Sequence, residues 1–129
     1  MAIGNMSEYG LTSSIMSKRK KVLIVEDDSI SRKILSQHFL KQNYNVFEAG
    51  CGDGAFEVIA DNDIDVILLD ISLPGIDGIT ILKKIKEDPH YDHIPVIMVS
   101  GSDDIHIAIE CIHSGASDYI SKPYNPMLI

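Results

Sequence analysis

The sequence is poor in cysteine and in basic residues, and none of its apolar runs is long. Its two cysteines, Cys51 and Cys111, are too few for a disulfide framework or a cysteine-rich metal cluster, so both are predicted to be small packing residues. No apolar run approaches the roughly 20 residues of a membrane-spanning helix. The first residues also lack the apolar core of a signal peptide. These absences predict a cytoplasmic protein that has no membrane segment.

Acidic side chains outnumber basic ones by nineteen to eleven, which gives a formal net charge of -8. Because binding to DNA or RNA needs a basic surface, a general nucleic-acid-binding role is not expected. The basic run at 18–21 precedes the first predicted strand and is interpreted as an exposed flank. An acidic chain of this kind would suit a cation site if some of its carboxylates were clustered.

Apolar runs alternate with turn residues along 129 residues, a length that suits one domain with one core. Short apolar runs predict five strands, at 21–25, 46–49, 66–69, 96–99 and 118–121. Four helices are predicted between them, from 28 or 29 to about 41, and at about 54–61, 79–87 and 103–114. Residues 1–19 are interpreted as a tail ahead of a domain at 20–129. The alternation favours a parallel sheet with helices on both faces.

Each of the four helices carries apolar residues on one face, which is expected to meet the core. The stripe of the first helix is formed by Ile30, Ile34 and Phe39, with Leu35 and Leu40 beside them. The stripe of the fourth helix is formed by Ile105, Ala108, Ile109 and Ile112. Pro126 suits the first turn of a fifth helix, but the sequence ends at Ile129. The chain is therefore expected to be a fragment of a longer protein, and the apolar surface left uncovered predicts self-association, with a dimer as the simplest form.

Polar residues able to hold a cation or a phosphoryl group follow several of the predicted strands. They are Glu26, Asp27, Asp28, Asp70, Ser100 and Lys122. Because parallel strands end at one edge of a sheet, these groups are expected to converge there. Clustered carboxylates repel one another unless a cation is bound, and oxygen ligands of this kind select a hard ion such as Mg²⁺. Such a site would suit phosphoryl transfer to Asp70, with Lys122 and Ser100 as donors to the transferred group.

Several of these residues, and also Tyr119 near the chain end, have a purely structural interpretation. Asp27 and Asp28 are residue types that cap helices, and Asp28 is expected to do so. Ser100 would suit a turn, Tyr119 the packing of a strand and Lys122 the solvent-exposed surface. Only their joint spacing favours a common site.

Four segments, taken in order, resemble the receiver domain of two-component response regulators. They are VLIVEDD at 22–28, VILLDISLPGIDG at 66–78, VIMVSG at 96–101 and DYISKP at 118–123. Each segment alone is a weak signal, whereas all four in this order are specific. The resemblance implies an α/β fold of the flavodoxin-like class, in which a doubly wound, five-stranded parallel sheet has the order 2-1-3-4-5. The fifth helix of that fold would be truncated here.

The resemblance also implies which residues bind the metal and accept the phosphoryl group. Asp70 matches the phosphoacceptor aspartate. Asp27 and the backbone carbonyl of Ser72 match direct ligands of Mg²⁺, for which Mn²⁺ is an alternative. Glu26 matches an acid that usually acts through a metal-bound water.

A second group of residues matches the parts of the family that respond to phosphorylation. Ser100 matches the switch hydroxyl, and Tyr119 matches the aromatic rotamer switch that is expected to turn into the space Ser100 vacates. Lys122 matches the lysine that pairs with the phosphoacceptor or its phosphate. The bond from Lys122 to Pro123 matches one that is cis in the family.

The implied phosphodonor is a phosphohistidine on a sensor histidine kinase or a phosphotransfer protein. The five histidines of this chain form no ligand spacing with the carboxylates, so the donor is expected to be another protein. An output domain or downstream partner would read the surface of the fourth helix and the fifth strand. No direct contact with nucleic acid or membrane is expected.

Two other classes of protein share some of these features. A phosphatase of the haloacid dehalogenase type needs a second aspartate two places after the nucleophile, and Ser72 stands there. A receiver-like interaction module that has lost phosphorylation would lack Asp70, Asp27 or Lys122, and all three are present. The chain is thus not expected to be an enzyme beyond catalysing its own phosphotransfer and a slow dephosphorylation. The slow rate is expected because Ser72 and Ser102 replace the acid or amide that often orients water in the family.

Overall fold

The computed structural model describes residues 19–122, which form five strands and four helices. The strands are β1 (Lys21–Val25), β2 (Asn45–Ala49), β3 (Val66–Asp70), β4 (Val96–Ser100) and β5 (Asp118–Ser121). The helices are α1 (Ser29–Lys41), α2 (Gly52–Asp61), α3 (Gly78–Glu87) and α4 (Ile105–His113). All nine predicted elements are present, and their ends lie within two residues of the predicted ones. The proposed fifth helix and the bond from Lys122 to Pro123 lie outside the described residues.

The strands form one parallel sheet in the order β2-β1-β3-β4-β5. This order confirms the predicted 2-1-3-4-5 arrangement and the flavodoxin-like, doubly wound fold. In such sheets the ligand crevice lies at the carboxyl ends of the strands, where the strand order reverses. Here that point is the pair β1 and β3, whose register places Val25 beside Leu69. The residues that follow β1 therefore lie next to the end of β3.

The central strands are buried on both faces, as their continuous apolar sequences predict. Leu23 and Val25 of β1 belong to the larger core, which α2, α3 and α4 cover. Val22 and Ile24 point to the opposite face, where α1 covers them. This two-sided burial fixes the position of the polar residues that follow β1 and end β3.

The expected core stripe of α1 is only partly correct. Leu35 and Phe39 are buried against the sheet, as predicted. Ile30, Ile34 and Leu40 are instead exposed, with 70%, 51% and 56% of their surface accessible. The apolar residues of α1 form a band wider than its contact with the sheet, so one side of the band remains in solvent.

The expected core stripe of α4 is wrong. Cys111, which the sequence predicts to be a packing residue, is buried and faces the core. Ile105, Ile109 and Ile112 are about half exposed or more. Since α4 is apolar on both sides, its periodicity reveals a stripe but does not tell which side meets the sheet. Within residues 19–122, no helix combines the length and the apolar character needed to cross a membrane.

Candidate functional site

Three carboxylates meet at the carboxyl edge of the sheet. One oxygen from each of Glu26, Asp27 and Asp70 lies within 4.8 Å of the oxygens of the other two. Glu26 and Asp70 are buried, whereas Asp27 is exposed. The topology explains this cluster, because Glu26 and Asp27 directly follow β1 and Asp70 is the last residue of the neighbouring β3. For these three carboxylates, the convergence expected from the sequence is present.

Lys122, which follows the edge strand β5, supplies a cation to this cluster. Its Nζ donates hydrogen bonds to Glu26 Oε1 at 2.8 Å and to Asp70 Oδ2 at 2.9 Å. Its backbone N–H donates to the carbonyl of Ser100 at 2.6 Å, which continues the pairing of β5 with β4. Because β4 lies between β3 and β5, the Lys122 side chain spans the end of β4 to reach Asp70.

The charges of the site are not balanced by Lys122 alone. Burial, together with the neighbouring Asp70, raises the pKa of Glu26 from 4.5 to about 7. Burial alone would lower the pKa of Lys122, but its hydrogen bonds to Glu26 and Asp70 outweigh that effect and raise the pKa. Three carboxylates and one ammonium leave excess negative charge in a mostly buried place. Their oxygen atoms are the donor set that a hard divalent cation such as Mg²⁺ requires, so the site fits this ion.

The backbone around Asp70 holds its carboxylate in one orientation. The N–H of Ser72 donates to Asp70 Oδ1 at 3.0 Å, while Asp70 Oδ2 accepts from Lys122. Ser72 itself is exposed at the mouth of the site. Gly78, the first residue of α3, packs against the backbone that follows Asp70, and its N–H donates to the carbonyl of Ile71 at 2.8 Å. Both oxygens of Asp70 thus have a hydrogen-bond donor.

Ser100 and Tyr119 are linked through the backbone of one residue, Ser102. The N–H of Ser102 donates to Ser100 Oγ at 3.0 Å, and the Tyr119 hydroxyl donates to the carbonyl of Ser102 at 3.0 Å. Ser100 is buried and Tyr119 is half-buried. Tyr119 therefore contacts the β4–α4 loop, and its turn into the space vacated by Ser100 stays a prediction.

The turn from β1 into α1 carries the first two acids of the cluster. Asp28 caps α1, as expected, because its carboxylate accepts hydrogen bonds from the N–H and the hydroxyl of Ser31 at 3.1 and 2.6 Å. The bond from the Ser31 hydroxyl is also the main reason that the pKa of Asp28 is lowered. Sequence reasoning did not single out Arg32, which contacts this turn. An arginine on a helix surface normally indicates an exposed side chain, and no signal in one sequence distinguishes it.

Comparison with known proteins gives a consistent result. A family model described as the response regulator receiver domain matches residues 22–129. The chain is 34% identical over 109 residues to the response regulator PleD of Caulobacter vibrioides. It is 40% identical over 109 residues to a cyclic di-GMP phosphodiesterase of Thermotoga maritima. Both alignments cover 84% of this chain but 24% and 28% of those proteins, so the chain spans about a quarter of their length.

The fold has close counterparts among solved structures. The receiver domain of the Francisella response regulator 1452 superposes with a TM-score of 0.80 at 31% sequence identity. That superposition covers 85% of this chain and 89% of the other. The similarity extends over nearly the whole of both chains.

Proposed function

Because this chain belongs to the response regulator receiver family, we propose that Asp70 accepts a phosphoryl group from a phosphohistidine of a sensor histidine kinase or phosphotransfer protein. The observation that supports this most is the position of Lys122, which pairs with Asp70 beside the three-carboxylate cluster. In the step, an Asp70 oxygen attacks phosphorus and forms a P–O bond. The P–N bond to the donor imidazole breaks, and its electron pair stays on that nitrogen.

Each residue of the site has a defined task in this proposal. The Ser72 N–H and the Lys122 ammonium orient the Asp70 carboxylate. Glu26, Asp27 and Asp70, with the backbone carbonyl of Ser72, would hold Mg²⁺ or Mn²⁺. The bound ion supplies positive charge that offsets repulsion between the attacking carboxylate and the phosphoryl oxygens. Lys122 then pairs with the phosphoryl group on the product.

The new charge is expected to change the β4–α4 loop. A phosphoryl group carries about -1.5 to -2 charges at neutral pH, roughly one more than the carboxylate it replaces. Ser100, at the end of β4, would donate its hydroxyl hydrogen to the phosphoryl group, and because its Oγ accepts from the N–H of Ser102, a movement of Ser100 would displace Ser102. Because the carbonyl of Ser102 accepts a hydrogen bond from the Tyr119 hydroxyl, a shift of Ser102 would be passed to Tyr119. The surface of α4 and β5 then differs between two populations.

We also propose that the α4–β5 surface carries the signal to an output domain or a downstream partner. Its exposed isoleucines, Ile105, Ile109 and Ile112, offer apolar contact area for this purpose. Two copies that meet through the same surface would form a dimer. The limited share of PleD that the chain covers supports its being part of a larger regulator or hybrid protein.

Intact-mass measurement tests the proposed chemistry. The protein is incubated with acetyl phosphate and MgCl₂, with and without excess EDTA, and its mass is recorded over time. The wild type is expected to gain one phosphoryl group only with Mg²⁺, and Asp70→Asn is expected to gain none. Asp63→Asn, which changes an exposed acid in the loop before β3, serves as the matched control and should behave as the wild type.

Two results would contradict the proposal in different ways. A phosphoryl gain by Asp70→Asn at the wild-type rate would show that Asp70 is not the acceptor. No gain in the wild type, from acetyl phosphate or from a phosphohistidine donor, would favour an interaction module that works without phosphorylation.

A further inference from the structure

The Arg32 side chain makes two hydrogen bonds that join the turn between β1 and α1 to the edge strand β2. Its Nη1 donates to the backbone carbonyl of Glu26 at 2.6 Å, and its Nε donates to Glu48 Oε1 on β2 at 3.0 Å. The backbone N–H of Arg32 donates to the carbonyl of Asp28 at 2.9 Å, so its position in the first turn of α1 is fixed. The Arg32 side chain is 23% exposed, which leaves it more than three-quarters shielded.

The peptide that links Glu26 to Asp27 is held by these contacts. The N–H of Glu26 donates to the carbonyl of Ala49 at the end of β2, at 3.0 Å. Its carbonyl accepts from Arg32, so the backbone of Glu26 is held on both sides. Asp27, by contrast, is exposed, and within the described part of the chain its carboxylate accepts no hydrogen bond. The direction of the Asp27 side chain therefore depends on the backbone that precedes it.

We propose that Arg32, oriented by Glu48, is a positioning residue for the cation site. It would fix the Glu26–Asp27 peptide in the orientation that aims the Asp27 carboxylate at Glu26 and Asp70. This inference rests on the proposed function, because it assumes that the three carboxylates bind Mg²⁺. Residues that orient metal ligands typically change metal affinity by about 10- to 100-fold when they are removed. We expect Arg32→Ala to weaken Mg²⁺ binding by about tenfold, the lower end of that range.

Simple charge repulsion predicts the opposite change in Mg²⁺ affinity when Arg32 is removed. A guanidinium near a divalent cation disfavours its binding, so removal of Arg32 would strengthen Mg²⁺ binding if charge alone mattered. Glu48 reduces this repulsion, because it neutralises Arg32 at 3.0 Å. The direction of the change in affinity therefore separates positioning from electrostatics.

The chain offers variants that separate the contributions. Arg32→Lys retains the charge and one donor for the Glu26 carbonyl, so partial rescue is expected. Glu48→Gln retains an oxygen acceptor for Nε but removes the neutralising charge, so a small loss of affinity is expected. Lys33→Ala is the matched control, since Lys33 is an exposed cation on the same helix, next to Arg32.

The test is direct titration of the full chain with Mg²⁺ by calorimetry, and with Mn²⁺ followed by the electron paramagnetic resonance signal of the free ion. Arg32→Ala should bind both ions about tenfold more weakly, and its acetyl phosphate reaction should reach the wild-type maximal rate at saturating Mg²⁺. A purely structural defect would lower that maximal rate as well. Thermal melts in EDTA identify any variant that fails to fold, in which case Arg32→Lys decides the question.

The inference is overturned if Arg32→Ala and Arg32→Lys bind Mg²⁺ as tightly as the wild type or more tightly, or if Lys33→Ala loses as much affinity. Failure of the underlying metal site looks different. In that case the wild type binds no Mg²⁺, or Asp27→Asn binds it unchanged, whatever the Arg32 variants do.

Discussion

The ammonium group of Lys122 lies 2.9 Å from the carboxylate of Asp70, although 52 positions separate the two residues in the sequence. The same ammonium lies 2.8 Å from Glu26. Glu26 and Asp70 are almost fully buried, so Lys122 is the cation that makes their burial tolerable. The parallel sheet creates this relationship, because it brings the ends of β1, β3 and β5 to one edge.

Replacement of Lys122 is expected to destabilise the metal-free protein. Lys122→Met leaves two buried carboxylates without their cation, which should lower the free energy of unfolding by about 1–3 kcal/mol. Added Mg²⁺ should recover part of this loss, because it replaces the missing positive charge. Urea unfolding in EDTA and in MgCl₂ measures both effects. Lys33→Met is the control, and equal stability of the two variants in EDTA would contradict the expectation.

The raised pKa of Glu26 predicts a pH dependence of stability. Burial and the nearby Asp70 raise this pKa to about 7, against an ordinary value of 4.5. Between these two pH values the folded protein binds more protons than the unfolded chain, so its free energy of unfolding falls as pH rises. The stabilisation is complete below about pH 4.5 and is lost above about pH 7.

Urea unfolding between pH 5 and pH 7 in EDTA measures this slope. Glu26→Gln should flatten it, since the amide does not titrate. Glu57→Gln, on the exposed surface of α2, is the control and should keep the wild-type slope. A Glu26→Gln protein with an unchanged slope would show that another group is responsible.

Gly78 has no room for a side chain. A Cβ at this position would lie 2.7 Å from Ile71 Cα and closer still to the backbone carbonyl of Asp70. Gly78→Ala should therefore cost about 1–3 kcal/mol of stability, as overpacked sites do. It should also slow phosphorylation, because the backbone of Asp70 would have to move to make room for the added Cβ. Gly101→Ala, where a Cβ meets no atom within 4 Å, is the control for the stability measurement. Equal stability of both variants would contradict this packing argument.

Ser72 is expected to give the aspartyl phosphate a long lifetime. Its side chain is exposed two positions after Asp70 and offers no acid or amide to orient the hydrolytic water. Ser72→Asn should speed dephosphorylation several-fold, because an amide at the mouth of the site can position that water. Intact mass, followed after acetyl phosphate is removed, gives the decay rate. Ser117→Asn, an exposed serine before β5, is the control. This prediction is contradicted if the aspartyl phosphate decays rapidly in the wild type and at the same rate in Ser72→Asn.

The sequence predicts well the helices and strands and the residues at the carboxyl edge of the sheet, because both depend on local patterns. Apolar runs that end in Glu26, Asp70 and Ser100 locate the strands, and parallel topology then brings their ends together. The same reasoning places Lys122 at this edge, while its pairing with Asp70 was implied by the resemblance to receiver domains. Such predictions succeed because a strand buried on both faces has little freedom in its sequence.

Contacts made by side chains across elements are not predictable in this way. The stripe at Ile105 and Ile109 faces solvent, although its spacing is that of a core stripe. Arg32 and Gly78 were missed because their roles depend on which backbone group lies opposite them. A single sequence records neither the side of a helix that meets the sheet nor the close approach of two backbones.

The most direct measurement is the location of the phosphoryl group on the chain. After reaction with acetyl phosphate and Mg²⁺, borohydride reduction converts an aspartyl phosphate into homoserine, and peptide mass spectrometry finds its position. We predict homoserine at Asp70 alone, and none when EDTA is present. Homoserine at Asp27 or at another acid, with Asp70 unchanged, would contradict the central claim.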